Sequence, residues 1–203
     1  MTVADFLGGM FGTRLIEIIA ALCGLINVVL IIRRSLWNYP FGFIMVTLYA
    51  WVFFESKLYS DALLQVYFFI IQIFGFVWWL QGRDTAGIVK VRALPASQAL
   101  LWALATVICT GALGFIMSYK TNAALPFWDA AITVQSVVAQ TLMARRYVQS
   151  WLVWILVDAL AIGVFLFKDL TPTAALYAIF LGLAIQGWFS WRSFVPPGER
   201  VRT

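Results

Sequence analysis

The chain has 203 residues, of which 63% are apolar, 17% aromatic and 11% charged, with no His. Soluble domains average roughly 45–50% apolar and about 25% charged residues, so too few charges are present to coat a water-facing surface. This excludes disordered, collagen-like and ordinary water-soluble readings; without His, it also excludes Ser-His-Asp triads and His-ligated metal sites.

Taken in chain order, apolar stretches long enough to cross a bilayer fall at Leu15–Ile32, Trp37–Phe54, Asp61–Leu80, Gln98–Ser118, Leu125–Met143, Trp151–Phe167 and Thr173–Trp191. Seven spans and short loops use nearly the whole chain. The expected fold class is therefore an all-α polytopic membrane protein, without a separate soluble domain. The runs are continuously apolar rather than alternating, which disfavours a β-barrel. Asp5 stands where a cleavable signal would be basic, so no signal peptide is expected. Cys23 and Cys109 both lie inside apolar runs, leaving neither a disulfide framework nor a paired-Cys metal site.

The net charge of +5 sits unevenly on the loops. Numbering sides by alternation, one side holds Arg14, Lys57, Lys120 and Lys168. The other holds Arg33, Arg34, Arg83, Lys90, Arg92, Arg145, Arg146, Arg192, Arg200 and Arg202. Basic residues accumulate on cytoplasmic loops. The N-terminus is expected outside and the C-terminus in the cytoplasm. The excess is thus a topology signal rather than a nucleic-acid surface.

Shifting the chain by 112 positions aligns Glu17–Trp79 with Asp129–Trp191 without a gap, giving thirteen identities in 63 pairs. They include Arg33/Arg145, Arg34/Arg146, Leu58/Leu170, Gly75/Gly187 and Trp79/Trp191. The expectation is a first three-helix repeat over 15–80, a linking helix over 98–118 and a second repeat over 125–191. Three helices on each side of an odd one make the copies parallel, a construction common in transporters, with substrate bound near the midplane where the halves meet.

Polar side chains inside spans cost free energy and mark partner helices or cavities. On the sixth span Trp151, Trp154 and Asp158 share one face, at i, i+3 and i+7. Two indoles and a carboxylate can clasp a flat cationic ring, each ring face contributing roughly 0.5–2 kcal/mol. Gln65 on the third span, and Ser136 and Gln140 on the fifth, can read hydroxyl or amide groups of the same ligand. Asp129 is either a further substrate contact or an acid favoured by the helix N-terminus. Trp151 alone also fits an interfacial aromatic belt, and Gln65 and Gln72 alone also fit helix-bridging amides. Asn38, Pro40 and Gly42 open the second span and are candidates for a hinge. No close carboxylate pair or metal-ligand set occurs, so no enzyme activity, metal or cofactor is expected.

With these residues the chain resembles the PnuC family of bacterial vitamin transporters. The segments that carry the resemblance are Asn38-Tyr39-Pro40-Phe41-Gly42, Leu58-Tyr59, Leu63-Leu64-Gln65-Val66, Phe127-Trp128-Asp129 and Arg146-Tyr147-Val148, leading to Trp151 and Trp154. The resemblance implies a SWEET-like fold of three, one and three helices, often as a homotrimer among the lipids of the bacterial inner membrane. It also implies facilitated diffusion of nicotinamide riboside, made one-way by a cytoplasmic kinase. One position departs from the pattern. The family's nicotinamide riboside carriers read Trp-x-x-Trp-x-x-x-Asn on this helix, and here the last residue is Asp158. An ionised Asp only accepts hydrogen bonds and adds charge, which suits a cation with an amino group. Thiamine is such a ligand, and a thiamine transporter of the same family is the alternative. A protonated Asp158 would donate and accept much as Asn does.

Overall fold

The computed structural model describes residues 3–85, 88–121 and 123–196, with backbone alone at 3–14, 59 and 60. Arg200 and Arg202 of the charge pattern lie outside the described residues, as do the side chains of Arg14 and Tyr59. Seven α-helices occur among the described residues: α1 Val3–Ile32, α2 Asn38–Glu55, α3 Tyr59–Gln81, α4 Ala96–Lys120, α5 Pro126–Ala144, α6 Ser150–Phe167 and α7 Thr171–Ser193. Each expected span falls on one of them, and the ends agree within two residues except at the start of α1. There the helix begins at Val3, because Asp5 and Arg14 interrupt an apolar run without interrupting a helix.

Among the described residues, five helices are long and apolar enough to cross a membrane: α1 over Leu15–Ile32, and α3, α4, α6 and α7. α2 and α5 fall short of that apolarity. α2 opens on Asn38 and ends on Glu55, and α5 carries Asp129, Thr133, Gln135, Ser136 and Gln140. The polar load of α5 is matched by its burial: Gln135, Ser136, Val138, Ala139, Leu142 and Met143 are all covered. Apolar residues on α4, by contrast, point outward, Leu101, Val107 and Ile108 among them. A helix that exposes Leu, Val and Ile along its length suits a lipid solvent.

The chain divides into two compact units, Met1–Leu80 and Gln81–Thr203. In the first, α1 packs on α2. Tyr39 of α2 meets two α3 rings, Phe76 at 5.3 Å and Trp79 at 5.7 Å between centroids. In the second, α4, α5, α6 and α7 pack in sequence order, each on the next. The segment between α3 and α4 forms a strap over the α5–α6 turn. Arg83 and Val89 bridge antiparallel, and Arg92 pairs with Tyr147 through Arg92 N to Arg146 O (2.9 Å) and Val148 N to Arg92 O (3.0 Å). Arg146 donates from one guanidinium nitrogen to Gly82 O at 3.1 Å and Lys90 O at 3.4 Å. Leu94 N donates to the Gln149 side-chain oxygen at 2.8 Å.

Helix ends recur at the 112-residue offset. α2 and α6 start and stop at matching positions, α3 and α7 do likewise, and Ile32 matches Ala144. Four helices close in the same way. Arg34, Lys57, Arg146 and Asp169 adopt φ of 56°, 61°, 66° and 57°. The next residue in each case donates back to the carbonyl five residues earlier: Ser35 to Leu30 (3.0 Å), Leu58 to Phe53 (2.8 Å), Tyr147 to Leu142 (3.0 Å) and Leu170 to Phe165 (2.8 Å). This is the Schellman closure, normally made on Gly. A side chain in the left-handed region costs about 1–2 kcal/mol, and the positive charge of Arg34, Lys57 and Arg146 at a helix C-terminus offsets part of it. The start of the next helix repeats as well, Asn38 donating from its amide to Ser35 O at 2.6 Å and Ser150 from its hydroxyl to Tyr147 O at 2.7 Å.

Candidate functional site

α6 is the helix on which the expected residues converge. It runs unbroken from Ser150 to Phe167, so Trp151, Trp154 and Asp158 keep the single face that their spacing predicts. Trp151 is 2% exposed. Its indole lies over Gly187 of α7, where an added Cβ would stand 2.6 Å from three ring carbons. Trp191 of α7, fully buried, meets it at 5.5 Å and 88°. The Trp151 indole nitrogen is sealed and has no hydrogen-bond partner among the described residues. Trp154 is only half-buried, so of the two rings it keeps more free surface.

Asp158 is 4% exposed and makes no hydrogen bond or ion pair among the described residues. A carboxyl buried without a partner is costly, and the cost is one that a ligand can relieve. Depth along the helices tells which residues of α5 share its level. Asp158 lies eight residues beyond the first residue of α6, and Ser136 eight before the last of α5. At about 1.5 Å per residue both stand about 12 Å from the α5–α6 turn. Gln140 and Trp154, four residues from the same ends, share a level about 6 Å from it. α5 and α6 pack directly. Ser136 is buried and Gln140 half-buried.

Asp129 belongs to a different arrangement. Lys168, just past the end of α6, donates to its two carboxylate oxygens at 2.8 and 3.1 Å. The pair ties α5 to α6 at the end of the helices opposite the strap, with side chains 23% (Asp129) and 31% (Lys168) exposed. Sequence reasoning placed Asp129 at a helix start but missed Lys168, a cation 39 residues away that only the folded hairpin brings near.

Gln65 lies in the first unit, half-buried on α3. The hinge candidates lie there too. Asn38 is buried, Pro40 is exposed in the first turn of α2, and Gly42 is covered by side chains. A Cβ on Gly42 would run into the Gln72 side-chain oxygen, and would stand 2.8 Å from the Asn27 amide nitrogen. Asn27 itself donates to Asn38 O at 2.8 Å. The buried amides Asn27 and Gln72 thus meet the backbone of α2 where Gly leaves room. Asn27 is a feature that sequence reasoning overlooked, although a lone Asn in an apolar span was the signal that could have found it.

The second unit holds another buried amide, Gln135 on α5, whose side-chain oxygen has no partner among the described residues. No cluster of three or more metal-ligating side chains occurs among the described residues.

Comparison with known proteins places this architecture. Residues 14–193 match the family described as nicotinamide mononucleotide transporter. The nicotinamide riboside transporter PnuC of Escherichia coli is 31% identical, over 90% of this chain and 87% of that protein. Its namesake in Neisseria mucosa is 33% identical, over 87% of this chain and 72% of that protein. The riboflavin/roseoflavin transporter RibM of Streptomyces davaonensis is 28% identical, over 86% and 83%. A solved structure, the vitamin B3 transporter PnuC, superposes with a TM-score of 0.75 at 29% identity, covering 99% of this chain and 88% of that one. The chain is a multi-pass membrane protein and belongs to the nicotinamide mononucleotide transporter family, a family of membrane transporters and not of enzymes.

Proposed function

We propose that the chain carries nicotinamide riboside across the bacterial inner membrane by facilitated diffusion. What carries the reading is the half-buried Trp154 with Asp158 one turn further along the same face of α6, in a chain whose relatives in Escherichia coli and Neisseria mucosa are named for that substrate. The pyridinium ring of the riboside is flat and cationic, so an indole face and a carboxylate attract it together. Ser136 and Gln140 offer donors and acceptors for its amide and hydroxyls, and Trp151, packed one turn before Trp154 on the same helix, backs the site. Gln65 stands as a further candidate contact, while Asp129, held by Lys168 at the far end of α5, is left to bracing; the opening of α2 at Asn38, Pro40 and Gly42 stands as a candidate hinge.

The mononucleotide of the family's description is the weaker ligand. Its phosphate adds about −1.5 to −2 charge. No Lys or Arg falls within α5 or α6 to receive it, and Asp158 repels it.

The architecture proposed is seven spans in a SWEET-like 3+1+3 order, two parallel three-helix repeats over 15–80 and 125–191 joined by α4, with the N-terminus outside and the C-terminus in the cytoplasm. The coincident helix ends and the four matched Schellman closures support the duplication. Polar α2 and α5 count as spans because membrane helices tolerate such residues when these face protein. A homotrimer in lipid, rocking of the repeats, and trapping of the substrate by a cytoplasmic kinase complete the proposal.

A second reading rests on Asp158: an ionised acid suits thiamine, which is a cation with an amino group to donate. A thermal-shift screen separates the two. Any ligand that binds only the folded state raises Tm. Nicotinamide riboside is expected to raise it more than thiamine, the mononucleotide or riboflavin. A larger rise with thiamine would transfer the assignment, and no rise with any of them would end it.

A further inference from the structure

The ring-carrying positions of α6 can be compared with their partners 112 residues earlier. In the first unit Gly42 stands where Trp154 stands in the second. The space over Gly42 is filled by two side chains, Gln72 from α3 and Asn27 from α1. The residues that match these two are Ala184 on α7 and Ala139 on α5, both buried. A large side chain has been exchanged for a small one at two positions, and a small one for a large one at the third. The two losses offset much of the gain, and part of the half-buried Trp154 ring lies outside the close-packed interior.

One helical turn away the pattern differs. Tyr39 and Trp79 cross at 5.7 Å and 89°, and Trp151 and Trp191 at 5.5 Å and 88°. Here both units keep an aromatic pair, and both keep a buried glycine on the partner helix, Gly75 and Gly187.

We propose that Gly187 and Ala184, three residues apart on one face of α7, are positioning residues for binding. Gly187 supplies the seat of the Trp151 indole, and Ala184, with Ala139, leaves the volume that the Trp154 indole takes. The direct contact of the Trp151 ring with Gly187 carries the first half, and the exchange with Gly42, Gln72 and Asn27 argues for the second. Neither small residue touches the substrate. Each acts through the ring above it, and a side chain added at either tilts or lifts that ring. The inference rests on the reading that Trp154, backed by Trp151, holds the ligand.

The test is equilibrium binding of nicotinamide riboside to the purified full-length protein, with Tm measured alongside. Gly187→Ala overpacks the seat, and is expected to weaken binding by about tenfold or more. Ala184→Gln, which copies the side chain of Gln72 into the second unit, is expected to do the same. Trp151→Phe provides the control, since a smaller ring leaves room for the new methyl group. Adding Gly187→Ala to Trp151→Phe should therefore cost little further affinity, and a loss of affinity in Gly187→Ala that exceeds its change in Tm separates positioning from a merely structural defect. Trp79→Phe, in the matching pair of the first unit, should lower Tm without weakening binding. If Gly187→Ala and Ala184→Gln bind as the parent does beside a weakened Trp151→Phe, the positioning roles are overturned and the site stands. If Trp151→Phe and Trp154→Ala also bind as the parent does, the site itself has fallen. Should Gly187→Ala fail to fold, Ala184→Gln carries the decision alone.

Discussion

α2 and α6 have matching first and last residues, matching Schellman closures and matching aromatic pairs to the helix that follows, yet one holds Tyr39, Gly42 and Val46 where the other holds Trp151, Trp154 and Asp158. Backbone and turns have stayed fixed while most side chains diverged, these three on one face among them. The lesson is a separation of labour. The left-handed closures at Arg34, Lys57, Arg146 and Asp169 set where helices end, and they tolerate almost any residue between them. Packing sets which aromatic rings persist. Binding chemistry then builds on the packed Trp151 through positions that neither constraint holds, Trp154 and Asp158.

The largest effect expected from this contrast comes from removing what only α6 has. Trp154→Ala takes α6 back toward the Gly42 of α2. Uptake of nicotinamide riboside into proteoliposomes should fall to background while the protein stays folded, because the stacking face for the cation is lost and a half-buried ring leaves a smaller cavity than a buried one. Undiminished uptake would remove Trp154 from the site.

The converse substitution sharpens the comparison from the other side. Gly42→Ala puts a methyl group into the Gln72 side chain and close to the Asn27 amide. Overpacking of this kind costs about 1–3 kcal/mol. Gln72→Ala, which reproduces the alanine at 184, should restore most of the loss in a double variant. Thermal or denaturant unfolding of the three proteins reads this directly, and fully additive losses would break the parallel between the two positions.

Much of this was legible in the sequence, and the reasons are physical. Bilayer thickness demands long apolar runs, so six helices could be placed within two residues at both ends, and the seventh at its C-terminal end. A polar residue in such a run is conspicuous, which is why Trp154, Asp158 and Ser136 could be named. Three things were not legible. Helix closures on Arg, Lys and Asp carry no glycine to announce them. The strap over the α5–α6 turn is built from isolated bridges, whose alternation is too short to register. Contacts that depend on what is missing, such as Trp151 over Gly187, cannot be read from the residue that makes room. Val46 against Asp158 shows the limit from the opposite direction. The sequence marks the acid at once, but only its burial without a partner says that something else should meet it.

A smaller effect follows at that acid. Asp158→Asn restores the amide of the Trp-x-x-Trp-x-x-x-Asn pattern, keeping the size and replacing a charge with a donor and an acceptor. Competition uptake with both vitamins should move preference toward nicotinamide riboside over thiamine by about tenfold or more, since one charge-assisted hydrogen bond is worth about 1.5–3 kcal/mol. An unchanged ratio would mean that Asp158 already behaves as a neutral group.

The smallest effect is expected where the two units differ for structural reasons alone. Lys168 pairs with Asp129 in the second unit, while the matching positions in the first hold Ser56 and Glu17. Lys168→Ser makes the second unit resemble the first. Because both side chains keep contact with solvent, the pair contributes at most about 1 kcal/mol. The variant should lose no more than that in unfolding free energy and should transport at close to the parent's rate. A steep fall in transport with unchanged stability would turn the Asp129–Lys168 pair from a brace into part of the conduction path, and would place the functional divergence of the two units at both ends of α6 instead of one.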